Sequence, residues 1–320
     1  MSVTSVGAGQ GWKACAGLEC PCAAQARQTT SNIWGLVDQL TEFVVAHLPG
    51  WLPVADLASD LGAALKYYGL FFVVLYLVEW RAGQDLSRYR SAHFLTDLAY
   101  RVYFSVYIVL LYLPVTEAVS GRWPTLLLGA LNEAPLWIGV PAYLLAFDFL
   151  SYWIHRAQHT RWWWRFHRVH HSQEQMTFAT GYRNHPIDQI FAHTVTFLPL
   201  MLLGAPALAW LPYSLLMSFI DATHHANLEW RWTPVRKLLV SPVFHAAHHS
   251  TDPRYYDTNF GGVFSVWDFL FGTASDVSER PESTGVVGWQ VKESFFAHLL
   301  SPFRRDSVVT GVDSEDSPPD

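Results

Sequence analysis

Between His155 and His249 the chain repeats one spacing three times: His155-x-x-x-His159, His167-x-x-His170-His171 and His245-x-x-His248-His249. Positions three and four apart share a face of a helix, so each box presents two or three imidazoles together. Of the fifteen histidines, all but His47, His93 and His298 fall in this window. Packing alone gives no reason to crowd titratable rings. Imidazole suits iron, zinc, copper and nickel, and a structural zinc is closed by about four ligands. Eight box histidines exceed what one ion uses, so the spacing predicts a site for two metal ions. The histidines with no matching partner (His47, His93, His185, His193, His298) read individually as packed or surface residues.

Composition decides where these helices sit. The chain is 51% hydrophobic and 15% charged, well under the roughly 25% charged fraction of a soluble domain, which points to a membrane protein. Leu61 to Trp80 is apolar apart from Lys66 and Glu79, and has about the 20 residues that span a hydrocarbon core. Phe94 to Ser120 is a second run, with Asp97 and Arg101 in its opening turns; Ala134 to Ile154 is a third, whose one charge is Asp148. Ile190 to Ile220 is too long for one crossing and is broken at Gly204-Ala205-Pro206, a turn signal, so it reads as a helical hairpin. The expected fold is all-α, an integral membrane bundle of about four to five helices including that hairpin.

Orientation follows from the short loops. Arg81, Arg88 and Arg90 follow the first run, only Arg122 follows the second, and Arg156, Arg161, Arg165, Arg168 and Arg183 follow the third. The alternation places all three histidine boxes on the cytoplasmic side, the third because the hairpin returns the chain. Residues 1–30 read as a flexible tail that lacks a signal-peptide core and holds Cys15, Cys20 and Cys22, more consistent with reduced thiols than with a metal site. Residues 31–133 carry amphipathic and membrane helices, with Asn32 to Leu52 either lying on the membrane or crossing it. Residues 134–280 form the histidine-box region. Residues 281–320 end in an acidic, Pro- and Ser-containing stretch from Arg305 that reads as disordered.

The flanks of the boxes add candidates. Asp148 lies two helical turns before His155 on the same face. A buried aspartate in a membrane helix is costly and usually functional. Its expected role is to accept an N–H from a ligand imidazole and fix its tautomer, the alternative being a packing bond to Tyr152 or Arg156. Arg161-Trp162-Trp163-Trp164-Arg165 suits the headgroup interface. In Tyr182-Arg183-Asn184-His185-Pro186-Ile187-Asp188 the proline keeps the preceding residue extended, Arg183 and Asp188 are candidates to pair, and His185 is read as either a ligand or a cap of the turn. His224-His225-Ala226-Asn227 offers another pair, with His225 as a ninth ligand from a different helix and Asn227 as a hydrogen-bonding or weak metal partner. After the third box, Asp257 to Gly262 reads as a turn and Trp267 to Thr273 as a short helix ending at glycine.

This order of motifs (HxxxH, HxxHH, an Arg-x-His-Pro turn, a His-Ala-Asn step, HxxHH, then Asn-Phe-Gly and Trp-Asp-x-Leu-Phe-Gly-Thr) resembles the fatty acid hydroxylase or sterol desaturase superfamily of integral membrane di-iron oxygenases, over roughly residues 60 to 280. The resemblance implies membrane helices capped by a cytosolic histidine-rich helical domain, two non-haem irons, and O2-dependent oxidation of a lipid. Carried over by position, it implies His155, His159, His167, His170, His171, His225, His245, His248 and His249 as ligands, with His185, His224, Asp148 and Asn227 as further site residues. His47-Leu48-Pro49-Gly50 is not the family's cytochrome motif His-Pro-Gly-Gly. Electrons are therefore expected from a separate ferredoxin-, rubredoxin- or cytochrome-type donor with its reductase, and no nucleic acid is expected as a partner.

A metal centre is required because no side chain stores oxidising equivalents. An acyl or sterol chain is expected to enter from the bilayer with its polar head near Arg165, Arg168 or Arg183, and the position of the bound carbon fixes the product. Hydroxylation is favoured over desaturation, with which it shares the first hydrogen abstraction. A zinc lipid hydrolase needs fewer ligands and usually a carboxylate base, and the boxes contain no glutamate. A metal transporter places its ligands near the midplane, whereas these boxes lie outside the apolar runs.

Overall fold

The computed structural model describes residues 69–108, 111, 135–203 and 210–304. The chain divides into two compact units, Met1–Gly69 and Leu70–Asp320, and apart from Gly69 the described residues fall in the second. The cysteines, Asn32 to Leu52, residues 61–68 of the Leu61 to Trp80 run, residues 109–110 and 112–120 of the Phe94 to Ser120 run, the Gly204-Ala205-Pro206 turn and the acidic tail all lie outside them.

The described residues are helical, and no strand forms among them. Their isolated extended pairing is one antiparallel bridge between Ser250 and Thr284. The elements used here are α1 (residues 69–81), α2 (Ala92–Tyr107), α3 (Leu136–Gln158), α4 (Arg161–His171), α5 (Pro186–Leu203), α6 (Trp210–His225), α7 (Pro242–His248), α8 (Val266–Phe271) and α9 (Phe295–Leu300). Their ends follow local chemistry. Ser91 caps α2 by accepting from the Phe94 amide, and Ser241 caps α7 in the same way with Pro242 at its first position, where a missing N–H costs nothing. The short helix expected near Trp267 is α8, and it stops at Gly272, whose φ of 73° is the left-handed conformation glycine adopts freely.

α3 runs four residues past the expected end of its apolar run, so the first box forms its last turn and cap. Its 23 residues at about 1.5 Å each make a rod of ~34 Å, and Trp137–Gln158 is the one helix among the described residues long and apolar enough to cross a membrane by length and composition. The two ends of the long fourth run are helical, as α5 and α6, and the predicted Gly-Pro break lies outside the described residues. α3 packs most extensively on α5, α6 on α7, and α3 on α4.

The distribution of polarity is the reverse of a soluble core. On α3, Trp137 is 77% exposed while Asp148 is 0% exposed. On α1 and α2, Leu70, Val73, Leu77, Leu95 and Val102 face outward while Glu79, Asp97 and Arg101 are buried. Small apolar clusters do form, one of Leu75, Phe178, Ala179, Ala222, Ala226 and Leu228 and one of Tyr100, Val169 and Tyr182. The centre of the molecule is nonetheless polar, and buried polar groups persist only when hydrogen-bonded or bound.

Candidate metal centre

All nine histidines expected as ligands come together, and the fold sorts them into two nests. His155, His159, His167, His171 and His248 each offer a nitrogen to one; His170, His225, His245 and His249 do so to the other, with the offered atoms of each nest within 4.8 Å of one another. Neighbouring positions on a helix point about 100° apart, so one HxxHH box feeds both nests. On α4 the outer pair His167 and His171 serves the five-histidine nest and His170 the other. On α7 the assignment is exchanged: His245 and His249 serve the four-histidine nest and His248 crosses to the first. The nests adjoin, with the His171 and His249 rings stacked at 4.4 Å and the His167 and His170 ring centroids 5.4 Å apart.

Hydrogen bonds fix which nitrogen of each ring is free. Nδ1 of His155 donates to the Phe260 carbonyl at 2.9 Å, Nδ1 of His248 to the Thr258 carbonyl at 2.7 Å, Nδ1 of His159 to Asp257 at 3.0 Å, and Nδ1 of His167 to Asp188 at 2.8 Å. Carbonyl and carboxylate oxygens only accept, so the proton sits on Nδ1 and the Nε2 lone pair points inward. Nε2 of His159, His167, His171 and His248 is buried without a partner among the described residues, an arrangement that costs free energy unless a cation takes the lone pairs.

The second nest makes the same point more sharply. Nδ1 of His170 donates to the Arg183 carbonyl and Nδ1 of His225 to the Asp221 carbonyl, yet their Nε2 atoms face each other at 3.4 Å. Nε2 of His245 lies 3.0 Å from Nε2 of His225 and 3.2 Å from Nε2 of His249. Two nitrogens each ~2.1 Å from one ion stand about 3.0–3.4 Å apart at octahedral to tetrahedral angles. The residues present therefore fit a metal ion in each nest.

Burial pushes the imidazoles of His159, His170, His171, His245, His248 and His249 well below the ordinary histidine range, and the neighbouring histidines add to that. They are neutral at physiological pH, the state in which imidazole binds metal.

Other candidates fall elsewhere. Asp148 holds no imidazole. It accepts from the Val263 and Phe264 amides and from Trp267 Nε1, tying α3 to the loop after the third box, because a carboxylate in a buried helix takes whichever amides the packing loop presents. The imidazole partner expected there is supplied instead by Asp188, which is 0% exposed and also accepts from Gln158 and Trp163, and by Asp257. Asp188 thus does not pair with Arg183; its position two residues after the helix-starting Pro186 was the available signal. Asn227 lies outside both nests. Its amide donates to Glu79 and its side chain to Gln84.

His185 joins neither nest: Nε2 donates to the Leu299 carbonyl and Nδ1 accepts from the Ile187 amide, in keeping with the turn-capping alternative. His224 packs beside His245 with ring centroids 5.9 Å apart but joins neither nest. Of the three arginines expected near a headgroup, Arg165 is exposed. Arg168 is buried over Trp289, and Arg183 is fully buried, its guanidinium held by Asp97 and Glu293, so neither is placed to meet a headgroup. The three tryptophans have separate roles: Trp162 is 81% exposed, Trp163 bonds to Asp188, and Trp164 lies about 5 Å from the rings of His159 and His171.

Two adjoining all-imidazole nests on a helical frame define the histidine metal-site class of protein. Residues 140–273, which hold the three histidine boxes, match the fatty acid hydroxylase family. The chain is 33% identical over 195 residues to ornithine lipid hydroxylase OlsE of Rhizobium tropici, covering 60% of this chain and 56% of that one. It is 30% identical over 169 residues to alkylglycerol monooxygenase of Danio rerio, covering 50% and 37%, and 29% identical over 177 residues to very-long-chain aldehyde decarbonylase GL1-5 of Oryza sativa subsp. indica, covering 48% and 28%. The matched stretch thus spans little more than half of the first relative and less of the others. No solved structure matches the chain.

Proposed function

We propose that the protein is a membrane-bound, O2-dependent di-iron oxygenase that hydroxylates the alkyl chain of a polar lipid. The carrying observation is the pair of nests, five and four imidazoles with lone pairs turned inward and no carboxylate among the ligating groups. A hydroxylase of ornithine lipid and a monooxygenase of alkylglycerol among its relatives support the reaction and the class of substrate. Two irons bound there would supply O2 activation and hydrogen abstraction from an unactivated C–H bond. The net reaction joins a C–H bond, O2, two electrons and two protons to give an alcohol and water, so a separate electron-donor protein with its reductase is part of the proposal.

The chain's own residues do the rest. Asp188, Asp257 and the Phe260 and Thr258 carbonyls hold four imidazoles of the larger nest in one tautomer. Trp164 walls the nest against water, while Arg165 at the surface is placed to meet a polar head. The outward apolar faces of α1, α2 and α3 favour a multi-pass membrane setting, and the arginines that follow the first and third apolar runs favour the cytoplasmic side for the histidine helices.

The experiment is metal analysis and O2 reactivity of the reduced, detergent-purified protein, together with lipid mass spectrometry of cells with and without the gene. Two irons per chain that react with O2, and a lipid shifted by about sixteen mass units, are expected. Tight zinc with lipid hydrolysis under anaerobic conditions would overturn the reading.

A further inference from the structure

The segment that follows the family-matched region returns to the metal site. The Gly285 amide donates to the His249 carbonyl at 3.1 Å, and the Thr284 hydroxyl reaches the Gln173 carbonyl just after the second box at 3.1 Å. Further along, Glu293 accepts from the Arg183 guanidinium at 2.7 Å, and Arg183 is also held by Asp97 at 2.6 Å. The Arg183 carbonyl is the group that takes the His170 N–H. The segment therefore touches the second nest twice, at His249 directly and at His170 through Arg183. In the first nest His155, His159, His167 and His248 take their Nδ1 partners from Phe260, Asp257, Asp188 and Thr258, none of which lies in the segment.

We propose that residues 283–293 form a girdle that positions the four-histidine nest, with Glu293 acting as a positioning residue for His170 through Arg183. This rests on the two-nest reading of the site and goes beyond it by giving the second nest its own control. Arg183 is the mechanical link because its guanidinium is fully buried between two carboxylates, so its backbone moves only if that arrangement moves. Two histidines also face Glu293, His93 at 3.3 Å and His298 at 3.6 Å. Although burial opposes ionisation, these neighbours and Arg183 hold the Glu293 carboxyl down to about 2, and the ion pair persists across physiological pH.

The test is cobalt(II) titration of the full chain in detergent after metal stripping, read by the ligand-field absorption of imidazole-bound cobalt. The wild type should take up two equivalents. Glu293→Gln, which keeps the side-chain shape and leaves Asp97 paired, should leave the first equivalent unchanged and weaken the second ~10-fold, the lower end of what loss of an outlying hydrogen-bond partner costs a metal site. Thr284→Val should weaken the same equivalent from the other end of the girdle. Equal weakening of both equivalents, or no change of the second in either variant, would overturn the girdle while leaving two nests in place. Fewer than two equivalents in the wild type would instead sink the two-nest reading and the girdle with it.

Discussion

A single exchange of partners carries much of the site's logic. His248 belongs by sequence to the third box but by geometry to the nest built by the first two boxes, and His170 makes the opposite crossing. His248→Ala should therefore lose the metal of the five-histidine nest while keeping the other, and His170→Ala should do the reverse; iron content should fall from two to one in each, and hydroxylation by at least ~100-fold, since outlying partners alone cost 10–100-fold. Asp188→Asn should weaken the first nest by about 10–100-fold in affinity through His167, seen as iron lost to a chelator that the wild type resists. Protonation competes in both nests. The six imidazoles lowered by burial and by each other hold fewer protons when folded than when unfolded, where histidine titrates near 6.5. Between 6.5 and the lowered folded values the unfolded chain binds more protons, so stability falls as pH falls and is not penalised above 6.5. Metal retention after dialysis should therefore persist through pH 6.5 and drop only as the pH nears the lowered folded values, with more than one proton taken up per ion released. Eight of the nine histidines that gather in the nests were legible because helical spacing places i, i+3 and i+4 together, and His225 through the His-Ala-Asn step; the bond from His167 to Asp188 was not, because the two lie on different helices.

At the level of elements, α3 is the organising piece. It carries the first box at its end and, two turns earlier, the carboxylate that fastens the loop after the third box. Asp148→Ala would leave three buried donors unsatisfied, at roughly 1–3 kcal/mol each, and thermal unfolding in detergent should show a loss of about 3 kcal/mol or more with metal released in the same transition. Gly261 in that loop is equally constrained, since a Cβ there would meet the Phe264 carbonyl oxygen at 2.6 Å and an Asp268 oxygen at 2.8 Å. The apolar runs disclosed α3, α5 and α6. Period alone did not disclose that α3 continues through its box, because the box's polar residues end the hydropathy signal before they end the helix.

For the molecule as a whole, apolar side chains turned outward and carboxylates turned inward predict that the protein stays with membranes through alkaline carbonate and is released only by detergent; release by salt or carbonate would count against a spanning bundle. The same inversion explains what each level of description settles. The sequence by itself determined the helical boxes, the histidines that gather in the nests and the family resemblance, because these depend on spacing along one chain. Only the tertiary structure decided that five imidazoles serve one nest and four the other, that Asp188 rather than Asp148 holds a ligand, and that Arg183 is a buried link and not a headgroup contact. Those outcomes depend on which helix faces which, and a side chain's partner across 20 to 110 positions is set by packing that no local period records.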